Sequence, residues 1–193
     1  MTSIADLWRV LIPGLWLLWI IGWSLAAIGT KRTQWRESRR QAVYNRLPVV
    51  LGMFLMMVPR GPLGILAWRV VPNGFEAPLW GVVLTAAGLL FAGWARWHLG
   101  GNWSGAVTVK RNHTLIRSGP YRWVRHPIYT GMTAALFATA LAVGTARAFV
   151  GAALILVGFV VKLQVEEARM RGTFPAEYDD YCRHTARLIP GVY

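Results

Sequence analysis

Apolar residues are gathered into five windows along the chain, each close to the length of a membrane-crossing helix. A bilayer core about 30 Å thick needs roughly 20 mostly apolar residues in a helix. The windows are residues 10–29, 47–70, 79–97, 128–144 and 148–161. The pattern therefore predicts an all-α integral membrane protein with about five transmembrane helices.

The second, fourth and fifth windows depart from a simple span. Pro48, Pro59 and Pro62 interrupt the second window, which also contains Arg60, so it is either one kinked helix or a short span followed by a re-entrant piece. The fourth and fifth windows are short, and only residues 144–147 connect them. So short a connection predicts an antiparallel helical hairpin.

Composition and charge point to a membrane surface as the partner. Of the 193 residues 55% are hydrophobic and 15% are charged, and the formal net charge is +13. Segments 31–46, 96–125 and 162–187 contain 17 of the 21 Lys and Arg residues. The positive-inside rule then predicts an outside N-terminus and a cytoplasmic C-terminus in a cell or inner membrane. Because membrane topology accounts for the excess of basic residues, we expect no nucleic-acid partner. The chain has one cysteine, Cys182, which excludes a zinc site built from several thiolates.

Two cytoplasmic stretches, 98–127 and 162–193, contain most of the polar groups that could do chemistry. Pro127 is expected to begin the fourth helix, which places Arg125 and His126 beside a helix N-terminus that can receive a carboxylate or a phosphate. Glu166 and Glu167 follow the fifth window. They are either surface partners of Lys162 and Arg171, four residues away in each case, or ligand-binding groups. Residues 174–181 predict a short amphipathic helix that either covers this site or anchors the chain at the interface.

Five motifs follow one another along the second half of the chain. They are His113-Thr114-Leu115-Ile116, Gly119-Pro120-Tyr121, Arg125-His126-Pro127-Ile128-Tyr129 with Gly131, Glu166-Glu167, and Phe174-Pro175-Ala176-Glu177-Tyr178 with Tyr181. In this order and spacing they resemble the isoprenylcysteine carboxyl methyltransferase family and the wider group of membrane phospholipid and thiol methyltransferases. The resemblance covers about residues 96–193, so we divide a single overall domain into N-terminal transmembrane helices, 1–95, and a methyltransferase core, 96–193.

The resemblance implies a cytoplasmic pocket for S-adenosylmethionine, formed by the loop between the third and fourth helices and by the C-terminal segment. A lipophilic or prenylated acceptor would enter from the bilayer, and no metal is needed. Lys162, His126 and Glu167 are the candidate catalytic residues. Lys162 stands where the best-known eukaryotic members use Arg to hold the substrate carboxylate, and Lys lacks the bidentate fork of Arg. The implied cofactor-binding residues are His113, Thr114, Leu115, Ile116, Tyr121, Arg125, His126, Pro127, Ile128, Tyr129 and Glu166.

The acceptor and two other functions stay open on the sequence alone. The methyl acceptor is a prenylcysteine carboxylate, a phospholipid amine or a small lipophilic thiol or acid, and the oligomeric state is undetermined. Residues 178–182 and 187–193 also resemble the tail of NADPH-dependent sterol reductases, which gives a second hypothesis. A membrane scaffold without enzymatic activity is the third, and it predicts that Tyr121, His126 and Glu166 can be replaced without loss of ligand binding.

Overall fold

The structure is a computed structural model that describes residues 7–28, 33–36, 39–58, 64–102, 108–110 and 115–191. His113 and Thr114, two predicted cofactor-binding residues, lie outside these ranges. Within them the regular elements are helices and one short ribbon, in which β1 (Thr33–Arg36) pairs antiparallel with β2 (Thr108–Lys110). The helices are α1 (Trp8–Ala26), α2 (Arg39–Met57), α3 (Glu76–Leu99), α4 (Pro127–Val143), α5 (Ala146–Thr173) and α6 (Pro175–His184).

Three helices in the described part are long and apolar enough to cross a membrane, namely α1, α3 and α5. Two shorter apolar helical stretches, Val43–Met57 of α2 and Pro127–Val143 of α4, lie with them. The prediction of a helical membrane protein is therefore confirmed, while the five windows correspond to three full-length candidate spans and two shorter apolar helices.

The second apolar window, 47–70, does not form one helix. Helix α2 begins earlier, at Arg39, and ends at Met57, and Gly64–Ala67 forms only a single 3-10 turn. The end of α2 is consistent with Pro59, because a proline ring disfavours helical backbone in the residue before it. Farther along, the Val70 N–H donates to the Gly144 carbonyl at 2.9 Å and the Ala146 N–H to the Trp68 carbonyl at 2.9 Å. This part of the window therefore packs against the turn between α4 and α5.

The fifth apolar window, 148–161, is only the middle of a much longer helix. Helix α5 has 28 residues, or about 42 Å at 1.5 Å per residue, which exceeds a hydrocarbon core of about 30 Å. Its last turns contain Lys162, Glu166 and Glu167. The expectation that this helix is short is wrong, and the extra length places charged side chains on a rigid extension of the helix.

Small residues allow the helices to approach closely. A Cβ atom built on Gly88 of α3 would lie 2.6 Å from the Gly131 carbonyl oxygen of α4, and one on Gly52 of α2 would lie 2.4 Å from the Gly151 carbonyl oxygen of α5. Without a hydrophobic driving force between helices in lipid, such close backbone contact supplies much of the packing energy. The row of helices α3, α4, α5 and α2 is therefore fixed by glycines where neighbouring helices cross.

Gly88→Ala is expected to destabilise the protein, because the added methyl group forces α3 and α4 apart. Overpacking of this kind costs about 1–3 kcal/mol, so the apparent melting temperature in detergent should fall by several degrees. Gly14→Ala is the matched control, because a Cβ atom at Gly14 meets nothing within 4 Å. Equal melting temperatures for Gly88→Ala and wild type would show that α3 and α4 do not pack as described.

Candidate active site

The candidate site lies where α4 begins and the last turns of α5 extend beyond its apolar part. Helix α4 begins at Pro127, as predicted, and His126 occupies the position just before it. A proline is well tolerated there because the first helical N–H groups have no partner within the helix. The start of α4 thus sets Arg125, His126 and Tyr129 opposite the acidic pair of α5.

Glu167 is the buried centre of the site, with 1% of its side chain exposed. Its Oε1 accepts a hydrogen bond from Arg125 Nε at 3.0 Å and lies 3.1 Å from His126 Nε2. Its Oε2 accepts from Arg187 Nη2 at 2.5 Å. Both carboxylate oxygens therefore contact basic side chains. These contacts offset the hydration free energy that a charged carboxylate loses on burial.

Glu166, by contrast, faces a more open region, and 22% of its side chain is exposed. Its Oε1 accepts a hydrogen bond from the Tyr129 hydroxyl at 2.8 Å and lies 3.8 Å from Lys162 Nζ. Its Oε2 lies 3.9 Å from His126 Nδ1. The two adjacent glutamates therefore have different environments: Glu167 is buried among basic side chains, while Glu166 is partly exposed.

His126 lies between the two carboxylates. An ionised carboxylate only accepts hydrogen bonds, so His126 Nε2 is the donor to Glu167 Oε1. The other ring nitrogen, Nδ1, lies on the side of Glu166. The arrangement thus fixes one ring nitrogen on the buried carboxylate and directs the other toward the more open part of the site.

Aromatic rings border the open side of the cluster. Lys162 Nζ lies 5.6 Å from the centroid of the Tyr129 ring, and the Tyr129 ring contacts Phe159 edge to face with centroids 5.0 Å apart. The predicted pair of Lys162 with Glu166 is present, but Arg171 pairs with Asp179 at 3.2 Å. The site thus combines a carboxylate, an ammonium group and an aromatic face within one turn of α4 and two turns of α5.

The turn at residues 119–122 attaches to the helices on both sides. The Tyr121 hydroxyl donates to the Ala95 carbonyl of α3 at 3.3 Å, and the Tyr181 hydroxyl of α6 donates to the Tyr121 carbonyl. Burial raises the pKa of both tyrosines, so both remain phenols across the physiological range. Gly119 has a φ of 59°, and a Cβ atom there would meet the His98 ring at 2.8 Å. A glycine is therefore needed at the turn that brings Tyr121 inward.

The C-terminal segment, residues 185–188, lies along the start of α4. The Arg125 N–H donates to the Ala186 carbonyl at 2.8 Å, and the His126 N–H donates to the Arg187 carbonyl at 3.2 Å. Arg125 Nη1 also donates to the Thr185 carbonyl, and Thr130 Oγ1 donates to the Leu188 carbonyl at 2.7 Å. This segment fixes the backbone of Arg125 and His126, and its Arg187 also contacts Glu167 of α5.

The structure brings six of the predicted residues into one cluster, and it places the others around it or leaves them undescribed. Arg125, one of the implied cofactor-binding residues, forms an ion pair with Glu167. Pro127 and Ile128 form the first turn of α4, while Leu115 and Ile116 are half-buried just before the 119–122 turn. The six clustered residues are Arg125, His126, Tyr129, Lys162, Glu166 and Glu167.

Sequence reasoning missed Arg187 and Thr130 as members of the site. Arg187 lies 20 residues beyond Glu167 in a segment with no helical periodicity. The only signal was its place in the tail motif 187–193, which we connected with reductases. Helix α6 was predicted and is present, and its buried Tyr178 and Tyr181 hold it against the rest of the site.

The apolar helices and the charged cluster at their end define an integral membrane protein. Comparison with protein families matches residues 80–172 to the isoprenylcysteine carboxyl methyltransferase (ICMT) family. The match begins within α3 and ends near the end of α5, so it includes the six clustered residues. This match supports the family resemblance that the motifs indicated. No curated protein matches the chain.

Proposed function

We propose that the protein is a methyltransferase that uses S-adenosylmethionine to methylate a lipophilic or prenylated acceptor taken from the bilayer. The observation that carries the proposal is the cluster of Glu166, Tyr129, Lys162 and His126 at the end of the apolar helices. It lies within the segment that matches the methyltransferase family. Neither a reductase nor a scaffold is favoured by a particular contact in the structure.

The chemistry of the cluster fits the cofactor. S-adenosylmethionine supplies an electrophilic methyl group on a sulfonium cation. A partly exposed carboxylate such as Glu166 can accept hydrogen bonds from ribose hydroxyls or from an amino group, and an aromatic face such as Tyr129 attracts a cation. The residues that would hold it are those implied by the resemblance: His113, Thr114, Leu115, Ile116, Tyr121, Arg125, His126, Pro127, Ile128, Tyr129 and Glu166.

The catalytic candidates take different roles in this proposal. Lys162 provides a positive charge that can orient an anionic acceptor beside Tyr129. An ionised carboxylate acceptor needs no base, whereas an amine or thiol must lose a proton. We assign the role of base to His126, whose Nδ1 lies on the side of Glu166. Glu167 already accepts from three basic side chains, so it orients His126 instead of acting as the base. Catalysis then consists mainly of alignment in a site shielded from water.

We further propose five membrane crossings with the site on the cytoplasmic side. The basic segments 31–46, 96–125 and 162–187 all adjoin the helix ends near the site, as the positive-inside rule requires. In this proposal the excess of basic residues sets the orientation of the chain and contacts bilayer lipids, and the protein has no nucleic-acid partner.

Calorimetric titration of the detergent-purified protein with S-adenosylhomocysteine tests the proposed function, with NADPH as a parallel ligand. We expect S-adenosylhomocysteine to bind and NADPH to give no heat of binding. Binding of NADPH alone, or of neither ligand to a folded preparation, would contradict the proposal. Uptake of radiolabelled methyl groups by a prenylcysteine, a phospholipid amine and a lipophilic thiol then identifies the acceptor class.

A further inference from the structure

A second site lies on a different face of the molecule, between α1 and α3. A groove of about 460 Å³ opens there, and its walls include Trp19 and Trp23 of α1 and Trp97 of α3. Gly22 and Gly93 also line the groove and add no side chain to it. Its volume lies within the range of small-molecule sites, roughly 300–1,000 Å³.

The groove is separate from the candidate active site. Gly93, Arg96 and Trp97 line the groove from one face of α3, whereas Gly88 and Ala92 on another face contact Gly131 of α4. Since α3 stands between the two, a molecule in the groove does not occupy the cluster around Glu166. The groove nevertheless lies at the same end of the helices, because its lining reaches Ala26 and Gly100, where α1 and α3 end.

A cation lines this apolar groove at the end where α1 and α3 finish. Arg96 is 6% exposed and lines the groove, and its guanidinium carbon lies 5.8 Å from the centroid of the Trp23 ring. Arg96 Nη1 donates to the Gly100 carbonyl at 3.0 Å, and Nη2 donates to the Ala26 carbonyl. The side chain is thus held in place at the ends of both helices.

The sequence that continues from both helices is basic. Segments 27–36 and 100–111 contain five Lys or Arg residues and no Asp or Glu. These segments include β1 and β2, which pair with each other. The sequence that continues from the two helices is therefore rich in positive charge, which favours an anion as the ligand of the groove.

We propose that this groove is a binding site for an anionic phospholipid. One acyl chain lies among Trp19, Trp23 and Trp97, and the phosphate lies at the end marked by Arg96. Basic pockets between transmembrane helices on the cytoplasmic side select anionic headgroups in this way, and tryptophans favour the same interfacial level. The lipid is distinct from the methyl acceptor, so this site rests on the proposed orientation of the chain in the membrane but not on methyl transfer.

The test compares phosphatidylglycerol with phosphatidylcholine of the same acyl chains, each added to the detergent-purified protein. We expect phosphatidylglycerol to raise the apparent melting temperature by about 3 °C or more above the value with phosphatidylcholine. Native mass spectrometry should show one phosphatidylglycerol retained per chain. Equal effects of the two lipids, or retention of phosphatidylcholine, would overturn the proposal.

Gly22→Leu supplies a variant that fills the groove without a clash, because a Cβ atom at Gly22 meets nothing within 4 Å. We expect it to weaken phosphatidylglycerol binding at least tenfold. Gly14→Leu on the same helix is the matched control: it is equally unobstructed and does not line the groove. Unchanged lipid selectivity in Gly22→Leu, or an equal loss in Gly14→Leu, would show that the lipid binds elsewhere.

Discussion

Glu167→Gln is expected to lower the stability of the protein more than any other single change at the site. The substitution keeps the shape of the side chain but removes the negative charge that Arg125, His126 and Arg187 surround. Removing one partner of a buried ion pair costs about 3–5 kcal/mol, because the remaining charges stay buried without compensation. We expect a large drop in the apparent melting temperature in detergent and loss of methyl transfer.

Asp180→Asn is the matched control for this change. Asp180 also contacts several basic side chains, including Arg117 at 3.2 Å and Arg183 at 3.3 Å, but 45% of its side chain is exposed. Exposed ion pairs contribute about 0–1 kcal/mol, so Asp180→Asn should melt close to wild type. If Glu167→Gln melts no lower than Asp180→Asn, the buried network does not stabilise the fold as described.

Glu166→Gln is expected to weaken the binding of S-adenosylhomocysteine by about tenfold to a hundredfold while the fold stays intact. The amide oxygen can still accept from the Tyr129 hydroxyl, so the local packing survives. The negative charge is lost, and a hydrogen bond to a charged group is worth about 1.5–3 kcal/mol. Titration calorimetry gives the affinity, and the melting temperature shows whether the variant is folded.

Glu76→Gln makes the corresponding change away from the site. Glu76 is exposed in the first turn of α3, whereas the site lies near the last turns of that helix. We expect wild-type affinity from it. If a folded Glu166→Gln variant binds S-adenosylhomocysteine as tightly as wild type, the cofactor binds elsewhere. If the wild type itself does not bind S-adenosylhomocysteine, the proposed function as a whole is wrong.

Hydropathy and motif order were enough to predict the helical membrane class, the family match over residues 80–172 and the start of α4. These features depend on runs of side chains that are local in sequence, and Pro127 marks a helix start through the backbone alone. The bounds of α2 and α5 were not predictable in the same way. The first turn of α2, from Arg39, and the last turns of α5, up to Thr173, are polar and lie outside the apolar windows. A helix that has formed continues through such polar residues, which a hydropathy window excludes.

The sequence by itself determined which residue types are available at the end of the membrane helices: a histidine, two adjacent glutamates, a lysine and tyrosines in fixed order. Only the tertiary structure decided how the two glutamates differ. Adjacent residues of a helix point about 100° apart, and the packing of α5 against α4 turned Glu167 inward and left Glu166 toward the open side. Arg187 completes the buried network only because α6 reverses the chain, a contact between residues 20 positions apart that no local pattern encodes.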